Sequence, residues 1–295
     1  MIIMGDIMKK FKLVSIVLVS FMASSFLVAC SSEKEGSKEN TTAIEETKDT
    51  TEQKGEKSKL FMPSEFKEVY SNSEKYKNKE VEFYGRVFFG IEKEGEYTFM
   101  QLYTNEAGDD DNVIVKIKDN TIDLEDDDVV RVKGIVKGKR TGKNVFGGEV
   151  TALEIEGSNI EKVSYSEAFA PALKTIEVNQ EINQHGYKMT LQKVELAKKE
   201  ARAYLKIENA TNENLSFYSF NAVGIQGQQQ IKQEDNFGAK YPEIASEIRP
   251  NIIEEGIITF KPIDVEGGDF KLEFEGSSDN YDLSFEPFSF DVINK

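Results

Sequence analysis

From residue 80 onward, apolar residues recur at every second position in short runs, and no stretch sustains the three-to-four spacing of a long helix. A period of two puts alternate side chains on opposite faces of a strand, so this part of the chain must be built from β-sheets with one buried face. Val81, Phe83, Val87, Phe89 and Ile91 share one parity, and Gly85 falls in step with them. Tyr97–Tyr103 and Val113–Ile117 follow as second and third strands. In the fourth, Val129–Val136, Val130, Val132 and Val136 point one way and Arg131 and Lys133 the other, with Gly134 in step. Thr151–Ile155 is the fifth. A glycine on the inward parity marks a sharp bend. Ahead of these strands Ser64–Tyr70 predicts a short helix, capped by Ser64, with Phe66, Val69 and Tyr70 on one face. One short helix and five strands, two of them glycine-bent, predict a small closed barrel over residues 60–165.

A second block, residues 175–292, alternates as cleanly: Tyr187, Met189, Leu191; Ala203, Leu205, Ile207; Phe270, Leu272, Phe274; and Tyr281, Leu283, Phe285. Ile257–Phe260 adds an apolar run, and Asn- and Gly-rich turns separate the segments. This is the pattern of a β-sandwich. The expected class is therefore all-β: a five-stranded barrel with one short helix, then a sandwich. Ser166–Val178, which contains Pro171, reads as the connector.

Composition narrows function. The chain has 295 residues, 39% hydrophobic and 31% charged, which is ordinary globular material. Its net charge is −16, with 15 bases against 22 acids over 60–165 and 13 against 22 over 166–295. Neither block has the basic footprint of a general nucleic-acid binder. One Cys and one His leave no intrachain disulfide and no Cys- or His-rich metal centre, so no cofactor or metal is expected.

The single Cys is Cys30. Lys9, Lys10 and Lys12 precede an apolar run from Leu13 to Ala29, the layout of a secretory signal over residues 1–29. The run ends Leu27-Val28-Ala29-Cys30, which resembles the lipobox of bacterial lipoproteins. The resemblance implies cleavage before Cys30, a diacylglycerol on its thiol, often a further acyl group such as palmitate on the new amine, and an extracytoplasmic location at the cell membrane. Two acyl chains suffice for stable anchoring where one is marginal. Met8 opens the usual Met-Lys-Lys form, and Asp6 is unusual before an apolar region, so both Met1 and Met8 stand as starts. Residues 31–59 hold six Lys and eight acids and almost nothing apolar. Such a segment is expected to stay disordered, a tether spanning roughly 30 Å.

Two further resemblances rest on longer stretches. Val69–Val81 followed by Tyr84-Gly85-Arg86-Val87, together with Asp128–Val136 and Gly147–Val150, is similar to OB-fold domains of Gram-positive lipoproteins, grouped with tRNA-anticodon-binding-like families. Ala203–Thr211, residues 224–230 and Gly256–Phe260 resemble uncharacterised immunoglobulin-like domains of Gram-positive lipoproteins. The implied roles are extracellular binding or spacing.

Candidate chemistry is sparse. His185 sits in a strand-entrance turn with no Gly-x-Ser-x-Gly elbow and no marked partner, and reads as a turn residue. Asp109–Asp111 and Asp126–Asp128 lack the alternating acids and mid-loop glycine of a calcium loop and read as solvated turns, with a weak cation site as the alternative. Gly138–Lys143 has three residues between its glycines, one too few for a phosphate loop. Lys137, Lys139, Arg140 and Lys143 form the densest basic group outside the signal, on the expected fourth-to-fifth-strand loop beside the ligand face of an OB barrel. They are the candidate contact for a small anionic ligand or an acidic patch on an envelope protein. Phe83, Tyr84, Phe88, Phe89, Tyr97, Phe99 and Tyr103 are assigned mostly to the core. The expected function is non-enzymatic binding by a membrane-anchored lipoprotein. An OB-type binder of single-stranded nucleic acid or oligosaccharide, and an envelope enzyme, are the alternatives.

Overall fold

The computed structural model describes residues 59–106, 111–143 and 147–295. The signal, Cys30, nearly all of the tether, and Asp109 and Asp110 lie outside the described residues. Among the described residues no helix is long and apolar enough to cross a membrane. The fold is all-β, in a barrel and a sandwich.

The barrel opens with β1 (Leu60–Phe61), α1 (Pro63–Ser71) and α2 (Ser73–Tyr76), followed by β2 (Glu80–Glu94), β3 (Tyr97–Tyr103), β4 (Asn112–Ile117), β5 (Val129–Lys143) and β6 (Glu149–Lys162). The sheet runs β1-β2-β3-β4-β6-β5 and closes because β2 also pairs with β5, from Glu80↔Ile135 to Arg86↔Val129. This is the OB-like barrel that the alternation predicts. Its interior holds Val81, Phe83, Val87, Met100, Leu102, Val113, Val115, Val130, Val132, Val136, Leu153 and Ile155, with Phe66 and Val69 of α1 plugging one end. Phe66 stacks on Phe83 with ring centroids 4.3 Å apart. At Gly134 β5 packs tightly against β6: a Cβ there would lie 2.6 Å from the Glu156 carbonyl oxygen. The helix cap lies two residues earlier than the sequence suggests. Met62, not Ser64, precedes the first turn, Pro63 occupies its first position, and the Glu65 carboxylate accepts from the Met62 amide at 3.1 Å.

The segment read as a connector is ordered. Ser164 caps α3 (Tyr165–Ala168), accepting from the Glu167 amide at 3.1 Å, and β7 (Ala172–Gln184) starts soon after Pro171. The second unit continues with β8 (Tyr187–Ala197), β9 (Ala201–Asn209), β10 (Leu215–Phe217), β11 (Val223–Gln226), β12 (Gln229–Lys232), β13 (Glu247–Ile248), β14 (Ile253–Phe260), β15 (Phe270–Phe274), β16 (Gly276–Ser278) and β17 (Phe288–Val292). A β14-β9-β8-β7 sheet and a β12-β11-β15-β17 sheet share one core, with Met189, Leu191, Leu205 and Ile207 from the first and Phe270, Leu272, Phe274, Phe288 and Phe290 from the second. β13-β10-β16 is a small third sheet. The expected strand at Tyr281–Phe285 is absent. Asn280 organises a turn there, accepting from the Asp282 amide at 3.1 Å, and Tyr281 is 95% exposed. The alternation that matters begins after Pro287, with Phe288, Phe290 and Val292 buried.

Candidate ligand-binding face

The barrel's outward surface is decided by parity on β3 and β4. Thr98, Met100 and Leu102 face inward, so Tyr97, Phe99, Gln101 and Tyr103 line up outside, half-buried. On β4 the outward set is Asn112, Ile114 and Lys116. Phe99 stands directly opposite Lys116, Gln101 opposite Ile114, and Tyr103 opposite Asn112. The Lys116 ammonium lies 4.1 Å from the centre of the Tyr97 ring and 5.6 Å from that of Phe99. A register shift on β2 brings Phe88, 42% exposed, to 4.4 Å from Tyr103, edge to face. The face continues onto β6, parallel to β4, where Glu154 and Glu156 follow Ile114 and Lys116. The Lys137 hydrogen bond, and next the charge of that same lysine, hold the Glu156 carboxyl below its usual range. A row of rings flanked by an amide, an ammonium and two carboxylates can stack flat groups and hydrogen-bond hydroxyls or amides. Asn112 Oδ1, at the end of this row, has no hydrogen-bond partner among the described residues. A buried polar atom left so costs about 1–3 kcal/mol, which a ligand or water would recover.

Most of these aromatics were expected inside. Phe83 and Tyr84 are buried, but Tyr97, Phe99 and Tyr103 are not. The signal was available: Met100 and Leu102 fix the inward parity of their strand.

The basic cluster is placed differently from expectation. β5 extends to Lys143, so Lys137, Lys139, Arg140 and Lys143 stand on a strand rather than in a loop. Lys137 pairs with Glu156 at 2.5 Å and Arg140 with Glu154 at 3.0 Å, while Lys139 lies 4.3 Å over the Tyr70 ring. A bulge between Val136 and Gly138 separates their directions, so the four do not converge on one ligand atom. Through Glu156 and Glu154, Lys137 and Arg140 adjoin the β6 edge of the aromatic face.

His185 and Gly186, both at positive φ, form the two-residue turn between β7 and β8, and the His185 ring meets Phe285 edge to face at 5.5 Å. The Asp126–Asp128 turn is an element of the junction between the two units: Asp128 pairs with Lys162 at 2.7 Å and Asp127 with Lys240 at 3.3 Å. Among the described residues no three His, Cys, Asp or Glu are grouped to hold a metal.

That junction holds a buried polar network that the sequence did not reveal. Tyr84, Val129, Tyr165, Ala168, Ala170 and Ala197 form a shared apolar cluster. Beneath it Arg202, fully buried, donates to Glu195 Oε2 from Nε and Nη2, and from Nη1 to Glu200 Oε1 at 2.7 Å and the Ala170 carbonyl at 2.9 Å. Tyr241 and Asn236 donate to Glu200, and Tyr204 donates to Glu195. Burial, followed by the bond to Glu195, pushes the Tyr204 phenol up to about 12. Burial would raise the Glu195 carboxyl, but hydrogen bonds from Lys193, Arg202 and Tyr204 outweigh it and hold the group low. Glu106 bridges the units by accepting from Tyr165 and Lys199. Arg86 stacks over Tyr165 and Phe169 and donates to the Gly238 carbonyl at 3.1 Å.

No protein-family model and no curated protein matches the chain. Among solved structures, the mitochondrial single-stranded DNA binding protein Rim1 of S. cerevisiae is similar at 12% identity and a TM-score of 0.23, over 29% of this chain and 94% of that one. A functionally unknown protein from Listeria monocytogenes EGD-e is similar at 9% identity and a TM-score of 0.33, over 45% of this chain and 92% of that one. Both likenesses are weak.

Proposed function

We propose that the chain is a lipoprotein of the extracytoplasmic face of the cell membrane, anchored through acylated Cys30, that binds an extended glycan on the outer face of β3 and β4 and carries out no chemistry on it. The resemblance of the second unit to immunoglobulin-like domains of Gram-positive lipoproteins belongs with this reading. One observation carries it: Tyr97, Phe99 and Tyr103 stand outward in a single row, with Lys116 over two of the rings. The rings offer apolar area to the C–H faces of sugars, and Gln101, Glu154 and Glu156 offer hydrogen-bonding partners to hydroxyls. The same rings suit bases, which makes single-stranded nucleic acid the second reading. Two carboxylates on β6 and a barrel of net −7 oppose a phosphate backbone and favour the neutral ligand.

The test is a calorimetric titration of the protein with N-acetylhexosamine oligomers and with an oligothymidylate at several salt concentrations. Saturable glycan binding that is insensitive to salt and weakened at least tenfold by Phe99→Ala supports the reading. Binding only to the oligothymidylate, falling steeply with salt, selects the second.

A further inference from the structure

Charge on the barrel is segregated. Residues 60–80 and 137–151 carry eight bases and five acids, net +3, whereas the rest of 60–165 carries seven bases and 17 acids, net −10. The fold brings the two basic segments together. The Asn78 amide donates to the Val136 carbonyl at 2.8 Å, and the Val136 amide to the Lys79 carbonyl at 3.1 Å. The Tyr70 hydroxyl donates to the Thr151 carbonyl at 3.1 Å, and Lys139 stacks on the same ring. The α1–α2 cap and the root of the β5–β6 hairpin are thus one surface. Lys59, Lys75, Lys77, Lys137 and Arg140 on it are 43–64% exposed.

The chain arrives at this same end. β1 runs parallel to β2, with Leu60 beside Glu82 and Phe61 beside Phe83, and the Lys59 carbonyl accepts from the Glu82 amide at 3.4 Å. Lys59 therefore enters the barrel on the side of Lys79 and Val136. Cys30 lies 29 residues before Lys59 in the sequence, and a flexible chain of that length would span roughly 30 Å. Glu156 and Glu154 pair with Lys137 and Arg140, so with Lys59 the surface holds nine bases and seven acids, net +2, and acts as a modest positive field rather than as a set of bare lysines. An acidic body with one basic pole orients that pole toward a negatively charged plane and repels it elsewhere.

We propose that this end of the barrel docks on an anionic lipid surface. The anchored protein then sits with α1, α2 and the hairpin root against the headgroups and with its more acidic faces turned away. The inference rests on the reading of Cys30 as the lipid anchor.

The test reconstitutes the full mature protein into vesicles of zwitterionic lipid, or of the same lipid with about one third anionic lipid, and follows lysine acylation by mass spectrometry. On anionic vesicles Lys75, Lys77 and Lys139 should label at least threefold more slowly, while Lys232 and Lys271 of the sandwich label unchanged. High salt should erase the difference. The combined variant Lys77→Glu, Lys139→Glu, Arg140→Glu should still float with both vesicles, and its Lys75 should lose protection. Equal labelling of a floating protein on both vesicles overturns docking and leaves the anchor standing. Failure to float with either vesicle removes the anchor, and the proposal with it. Equal protection by inorganic phosphate without vesicles shows a free-anion site and also overturns docking.

Discussion

Arg202 and Glu195 stand opposite each other on β9 and β8, and two guanidinium nitrogens of Arg202 donate to one Glu195 oxygen at 3.0 and 2.8 Å. Position 202 has the parity of the sandwich's outer face, yet it is fully buried because the segment that follows α3 and the loop at Tyr241 cover it through Ala170 and Tyr241. The first unit and the second are joined over this pair.

Removing the guanidinium strands two buried carboxylates, Glu195 and Glu200. Arg202→Ala is expected to cost about 3–5 kcal/mol. Arg202→Lys should fall between the variant and the original, since an ammonium cannot reproduce the fork. Urea unfolding of the whole chain checks the order, and a loss under about 1 kcal/mol for Arg202→Ala would count against the network.

The carboxyls of Glu195, Glu106 and Asp128 are all held below their ordinary values; burial opposes this in each, and hydrogen bonds and charges of neighbouring cations win. Depressed folded-state values mean that the unfolded chain binds protons first. The stability they add is full above the ordinary carboxylate values of 3.8–4.5 and is lost as pH falls through the folded values below them. The melting temperature should be nearly flat from pH 7 to 5 and drop steeply beneath pH 4. Glu195→Gln should melt lower at neutral pH and show a shallower drop.

Gly134→Ala should destabilise the barrel by about 1–3 kcal/mol, because the new methyl would meet the Glu156 carbonyl at 2.6 Å and Ile155 Cγ2 at 2.7 Å, neither free to move. Gly142→Ala on the same strand meets nothing within 4 Å and serves as the control. Equal melting of the two would show that the β5–β6 crossing is looser than its geometry.

Cys30→Ala removes the only thiol in the chain. The expected result in cells is an uncut precursor or a protein released from the membrane, read by detergent partition and by mass. A matured, membrane-retained variant would rule out the lipobox.

Alternation alone determined where the barrel strands lie, because a half-buried strand must alternate: Tyr97–Tyr103 has the bounds expected of it, and Val130, Val132 and Val136 point inward as their parity requires. The same rule also contained the outward row of Tyr97, Phe99 and Tyr103, although hydrophobic type by itself argued for the core. It failed at Tyr281–Phe285, where period-two spacing coincides with an Asn-led turn, and it could not see that β5 runs on to Lys143, since its last residues are polar on both faces. Tertiary structure alone decided the fate of Arg202, Tyr84 and Glu106. Local pattern fixes which side of a sheet a residue faces, but whether that side meets water or another unit depends on contacts between positions as distant as Arg86 and Gly238. Only the closed chain brings such positions together, and only there do a guanidinium and two carboxylates stabilise one another out of water.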